Sequence, residues 1–248
     1  MSSSNRPGSD NSMNTDTSDL RQHANLWHYV VPFLAFLAIT SLEGEALNDD
    51  GTLNANLYAI IYCIKIAVVV GCVAWGRRAL ADLRPIPNLQ ICIMAIVSGL
   101  LVGFFWVHLE GFYPPLPESV VGKRTGFNPL KSLDGPLQAI FLAIRFLGLV
   151  IVVPVIEELF TRDFVLRFVT KPEWETVQPW QFSRNAALFS TIIFVVGHPE
   201  WLPAILCGVI WLAFLRYSKS VSALVISHAV ANLAIGVYSL VTGDWHFL

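Results

Sequence analysis

Two adjacent carboxylates, Glu157 and Glu158, close the apolar run Val150-Ile151-Val152-Val153-Pro154-Val155-Ile156 and are followed by Leu159-Phe160-Thr161-Arg162. A charged side chain at mid-bilayer costs on the order of 3 kcal/mol on insertion scales, so ionisable residues there face a protein interior or a wet cavity and mark function. Two further apolar segments carry polar residues of a complementary kind. Phe194-Val195-Val196-Gly197-His198 ends one, and His228-Ala229-Val230-Ala231-Asn232 sits inside another. A carboxylate and an imidazole together can take a proton from water. A second imidazole and an amide can donate hydrogen bonds to an oxygen that becomes negative. That set suffices for attack of water on an amide carbonyl, with no Ser or Cys nucleophile. In this reading Glu157 is the general base, His198 assists it, and His228 with Asn232 forms the oxyanion pocket.

The spacing supports the grouping. Glu158 and Arg162 are four residues apart and share one helix face, as an ion pair that fixes the helix end. Glu157 lies about 100° around the same helix. Phe194 stands one turn before His198, on the same face, and His228 and Asn232 are again four apart. Pro154 frees a backbone carbonyl and can kink its helix towards a cavity. Each piece has a plainer reading. Arg162, Asp163 and Arg167 could decorate a solvated helix end, His198 could cap a helix before Pro199 and Glu200, and His228 and Asn232 could link helices by hydrogen bonds. A zinc version would use Glu157, His198 and His228 as three ligands with an open position. No His-Glu-x-x-His signature is present, so the sequence favours chemistry without a cofactor.

These residues need membrane helices to hold them. Hydrophobic residues make up 54% of the 248 and charged ones 14%, against about 25% charged in soluble domains. The expectation is an all-α, polytopic transmembrane bundle with the polar site among its C-terminal helices. Seven segments are read at 28–43, 54–75, 89–109, 136–160, 185–198, 201–217 and 220–241, with an eighth if 159–170 lies in the interface. The division is a disordered cytosolic tail at 1–25, N-terminal membrane helices at 26–134 and a catalytic membrane domain at 135–248. The tail is rich in Ser, Asn, Asp and Thr and lacks the pattern of a cleaved signal peptide. Cys63, Cys72, Cys92 and Cys207 all lie in apolar segments and read as small buried hydrophobes. No basic face suggests nucleic acid.

Orientation follows from basic loops. Arg77, Arg78 and Arg84, then Arg167, Lys171 and Arg184, then Arg216 and Lys219 fall on one side if the N-terminus is cytosolic. Glu43, Glu45, Asp49 and Asp50 fall on the other, although Lys123, Arg124 and Lys131 also do. Lys65 and Arg145 lie within segments, where a charge can serve function; Lys65 could instead snorkel. His23, His28, His108 and His246 lie at segment ends, as interfacial residues do.

The three motifs resemble those of the CPBP family, the CAAX-protease and bacteriocin-processing intramembrane endopeptidases, in order and in spacing: Glu157-Glu158-x-x-x-Arg162, Phe194-x-x-x-His198 and His228-x-x-x-Asn232. The resemblance covers 135–242. It implies a multi-helix glutamate-type endopeptidase in the bacterial inner membrane, with a membrane-embedded or membrane-anchored protein substrate, prenylated or sorted. Glu157 and His198 would activate water, and His228 and Asn232 would serve the oxyanion. The ending Val241-Thr242-Gly243-Asp244-Trp245 is similar to the branch found with exosortase and PEP-CTERM sorting. Asp163 departs from the family, which often has Gly there, and adds a charge beside the site. The leading expectation is cleavage near the cytosolic membrane face. The competing classes are a non-catalytic chaperone, scaffold or immunity protein, and a transporter using Glu157, His198 and His228 as a proton relay. The absence of two similar halves counts against the transporter.

Overall fold

The computed structural model describes residues 24–48, 52–117 and 126–247. The expectations for residues 1–23, including His23, and for Asp49, Asp50, Lys123 and Arg124 fall outside them. Among the described residues seven long helices follow one another, with a single helical turn at Pro129–Ser132 before the fourth: α1 Leu26–Ser41, α2 Ala55–Trp75, α3 Leu89–His108, α4 Gly135–Thr170, α5 Arg184–Val196, α6 Trp201–Ser218 and α7 Val221–Thr242. All but α5 are long and apolar enough to cross a bilayer, α1 together with the turn that follows it to Ala46, which makes this an integral membrane protein. Short 3-10 turns, Leu42–Ala46 and Arg77–Leu83, link α1 to α2 and α2 to α3.

The helix starts are set by local chemistry. Asn25, Asn54, Asn88, Ser183 and Ser220 each precede a helix and accept a hydrogen bond from a backbone N–H of its first turn. Those N–H groups have no partner inside the helix, so a side-chain oxygen before it fixes where it begins. Gly243 ends α7 in the left-handed conformation, where a residue without Cβ is least strained.

α4 corrects one expectation. It does not stop near 160, and residues 159–170 form its own C-terminal part rather than a separate interfacial segment. Two stretches of π-helix, Gly148–Val152 and Glu158–Val165, widen it on either side of Val153–Glu157. Such bulges concentrate at functional sites. The reading of a solvated end fails as well, because Arg162, Asp163 and Arg167 are all buried.

α7 packs along α3, the most extensive helix pair of the bundle. Small residues permit it. A Cβ on Gly99 would stand 2.3 Å from the Ser227 carbonyl oxygen, and one on Gly103 would stand 3.2 Å from that of Ala231. The matching steps, 99 to 103 and 227 to 231, make the two helices parallel. Close approach of backbones across small residues is the usual means of helix association in lipid. α5 and α6 form a hairpin beside them, and α1 packs on α2. The four cysteines are unpaired, with Cys207 buried and the others partly so.

Candidate active site

The first π-bulge positions one side of the site. In it the Val153 N–H donates to the Gly148 carbonyl, five residues back. In the same register the Leu149 carbonyl would take its hydrogen from residue 154. That residue is Pro154, which has none. The Asn232 side-chain amide, reaching across from α7, donates to the Leu149 oxygen at 2.8 Å. The proline thus fixes α7 against α4 through an asparagine, and the second amide hydrogen of Asn232 remains for another acceptor.

The second bulge holds the carboxylates. Thr161 donates its hydroxyl to the Glu157 carbonyl at 2.6 Å, and Arg162 Nη1 donates to Thr161 Oγ1 at 2.7 Å. The expected pair of Arg162 with Glu158 forms at 3.3 Å. The Arg162 guanidinium also lies 4.1 Å above the Phe194 ring. Ser190 on α5 donates to the Thr161 carbonyl at 2.8 Å and ties α5 to this bulge.

His228 meets both carboxylates. Its Nδ1 is 2.9 Å from Glu158 Oε1, and its Nε2 is 3.9 Å from Glu157 Oε2. Trp211 lies tilted against its ring, centroids 4.6 Å apart, and donates Nε1–H to Ser227 Oγ at 2.9 Å. His198 is oriented differently. Its Nδ1 is 2.7 Å from the Phe194 carbonyl. A carbonyl only accepts, so Nδ1 carries the hydrogen and Nε2 keeps its lone pair when the ring is neutral. Phe194 and Trp106 flank that ring at 4.3 and 5.3 Å.

Glu157, His198, His228, Asn232 and Phe194 all line one cavity of about 500 Å³. Glu158 and Arg162 lie behind them and reach the cavity through His228 and Phe194. Glu157 is 8% exposed and Glu158 and Arg162 at most 1%. Among the described residues, no three His, Cys, Asp or Glu side chains converge as a metal site requires, Glu157, His198 and His228 included.

Two charged residues read from the sequence as functional candidates within membrane segments prove to line the cavity. Arg145 and Lys65 face the same cavity. Lys65 does not snorkel: it is buried and paired with Glu43, with Thr40 Oγ1 at 3.2 Å. Tyr62 sits beneath both Lys65 and Arg145. The signal available was Lys65 facing Glu43 across a short α1–α2 connection. Asp163 does not add a charge to the cavity. It is fully buried and pairs with Arg167 at 2.8 Å, which also reaches Asp82 at 3.1 Å.

Residues 139–234 match the family model described as Type II CAAX prenyl endopeptidase Rce1-like. All three motifs lie within that span, in agreement with the family resemblance read from them. No curated protein and no solved structure matches the chain.

Proposed function

We propose that this protein is an intramembrane endopeptidase that hydrolyses a peptide bond of a membrane-associated protein with water activated by Glu157 and His198. The observation that carries the reading is the convergence of Glu157, His198, His228 and Asn232 on one cavity. The matched family is one of endopeptidases by its description.

Water between Glu157 and His198 Nε2 gives up a proton as its oxygen attacks the carbonyl carbon. The carbonyl oxygen becomes negative and accepts hydrogen bonds from the free Asn232 amide hydrogen and from His228. With Nδ1 committed to Glu158, His228 donates from Nε2 only when it carries both protons. Glu158 balances the positive charge of that form. The carbon–nitrogen bond then breaks, the departing amine takes the proton held by Glu157 and His198, and a carboxyl group remains on the other fragment. No step passes through a metal ion. Glu158 and Arg162 act through His228 and Phe194 and are positioning residues.

The test compares new peptide termini in membranes containing the wild type or Glu157→Gln at equal protein levels. Termini made only by the wild type support the reading. Identical termini in both sink it.

A further inference from the structure

The cavity has direction, and that direction defines the substrate. Going outward from Glu157, its walls run past Arg145 and Lys65 to Glu43, Gly44 and Leu47 in the α1–α2 connection. Glu200, between α5 and α6, and Phe247, beyond α7, complete the same end. The polar groups along this path suit a water-filled passage, since ionisable residues at membrane depth face water or one another.

In the opposite direction buried side chains lie between this cavity and a separate pocket of about 340 Å³ at the far end, lined by Asp82, Arg84, Trp180 and Lys219, and the two share no lining residue. Arg162, Leu166 and Arg167 on α4 are buried, as are Val221, Ala223 and Leu224 on α7. Leu159, Phe164, Val165 and Trp174 form a core cluster there. No residue of the α2–α3, α4–α5 or α6–α7 connections lines the cavity.

The closed end is the basic one. Its connections and helix termini hold Arg77, Arg78, Arg84, Lys171, Arg184, Arg216 and Lys219. Arg167 leaves this group because it is buried in ion pairs. The open end holds Lys131, together with Glu43, Glu45, Glu110, Asp134 and Asp244, and the sequence joining α3 to α4 also carries Lys123 and Arg124. Excess Lys and Arg in short loops marks the cytosolic side. We infer that the cavity opens on the non-cytosolic face, so that the substrate is a polypeptide segment presented there: an exported chain or the outward part of a membrane-anchored one. Cleavage still occurs deep in the protein, but the peptide arrives from outside. This deepens the peptidase reading above and rests on it for the word substrate; the direction of the cavity does not.

Membrane-impermeant maleimide labelling tests it. Gly44→Cys and Leu47→Cys place a thiol at the mouth, where a Cβ on residue 44 meets nothing within 4 Å and Leu47 is exposed. Glu175→Cys places one at the closed end, on an exposed residue. The unsubstituted protein gives the background from its native cysteines. In right-side-out vesicles both mouth variants should label as fully as after permeabilisation, and Glu175→Cys should label severalfold more once the membrane is opened. A bulky label on Gly44→Cys should also cut product formation severalfold. The reverse pattern, with Glu175→Cys labelled from outside and both mouth variants protected, overturns the inference. The labelling does not need catalysis. Adding Glu157→Gln to Gly44→Cys leaves it unchanged, so a failed peptidase reading and a failed orientation give different results.

Discussion

α4 carries two buried charge clusters one after the other, and they are built to opposite ends. The first joins Glu157, Glu158 and Arg162 to His228 of α7. The second joins Asp163 and Arg167 to Asp82 of the α2–α3 connection and, through Asp82, to the Tyr29 hydroxyl of α1. Both contain two carboxylates and one guanidinium, almost wholly out of solvent. The second faces no part of the cavity, and its arginine makes a further bond to the Asp163 carbonyl at 3.1 Å. It fastens three parts of the chain together. In the first, Glu157 Oε2 and Arg162 Nη2 have no hydrogen-bond partner among the described residues, and Glu157 and His228 line the cavity. Buried polar atoms are nearly always satisfied, so an unfilled one at a cavity wall marks where a ligand's atoms belong. Residue type does not separate a site from a fastening; which cluster faces the cavity does.

Substitutions can pull the two clusters apart. Glu157→Gln should lower cleavage by roughly 10²-fold or more, the span ascribed to a general base, while the thermal midpoint in detergent stays near that of the wild type. A large fall in midpoint would make the first cluster a fastening too. Arg167→Met leaves Asp82 and Asp163 buried without their cation and should destabilise the protein by about 3 kcal/mol, the low end for breaking a buried pair. The fraction that folds should cleave at close to the wild-type rate; the ratio of rate to folded protein is the quantity to measure. Gly99→Ala drives a methyl group into the Ser227 carbonyl next to His228. It should cost about 1–3 kcal/mol, as overpacking does, and reduce cleavage severalfold in the folded protein by shifting α7. Pro154→Ala restores an N–H to which the Leu149 carbonyl can turn. It should have the smallest effect, a fall in rate of a few-fold with little change in stability, and Asn232→Ala should lose less in that background than in the wild type. Equal losses in both backgrounds would separate Asn232 from the bulge.

Most helix boundaries were legible because the apolar runs end close to them; the Asn and Ser caps that fix them were not read. The three motifs were legible because their polar residues contradict their surroundings. The extent of α4 was not. The string from Glu157 to Arg167 alternates charge with Phe and Leu, and local composition cannot distinguish a solvated end from a helix whose charges are matched by Tyr29 and Asp82, more than 80 residues away in the chain. The same distance hid the link between Asn232 and Leu149. Pro154 gave notice of a freed carbonyl, but no local rule names the residue that fills it. Lys65 could be read as snorkelling because its partner Glu43 belongs to another helix end.

On the inferred arrangement the cavity's mouth lies at the α1–α2 connection, beside Glu43, Gly44 and Leu47. Water, peptide and both fragments then use it in turn. A fragment that lingers past Arg145 and Lys65 blocks the next chain and the next water molecule alike. If the peptidase reading holds, clearance of fragments past these residues sets a limit on turnover, and added short fragments should inhibit from the same side on which the peptide arrives.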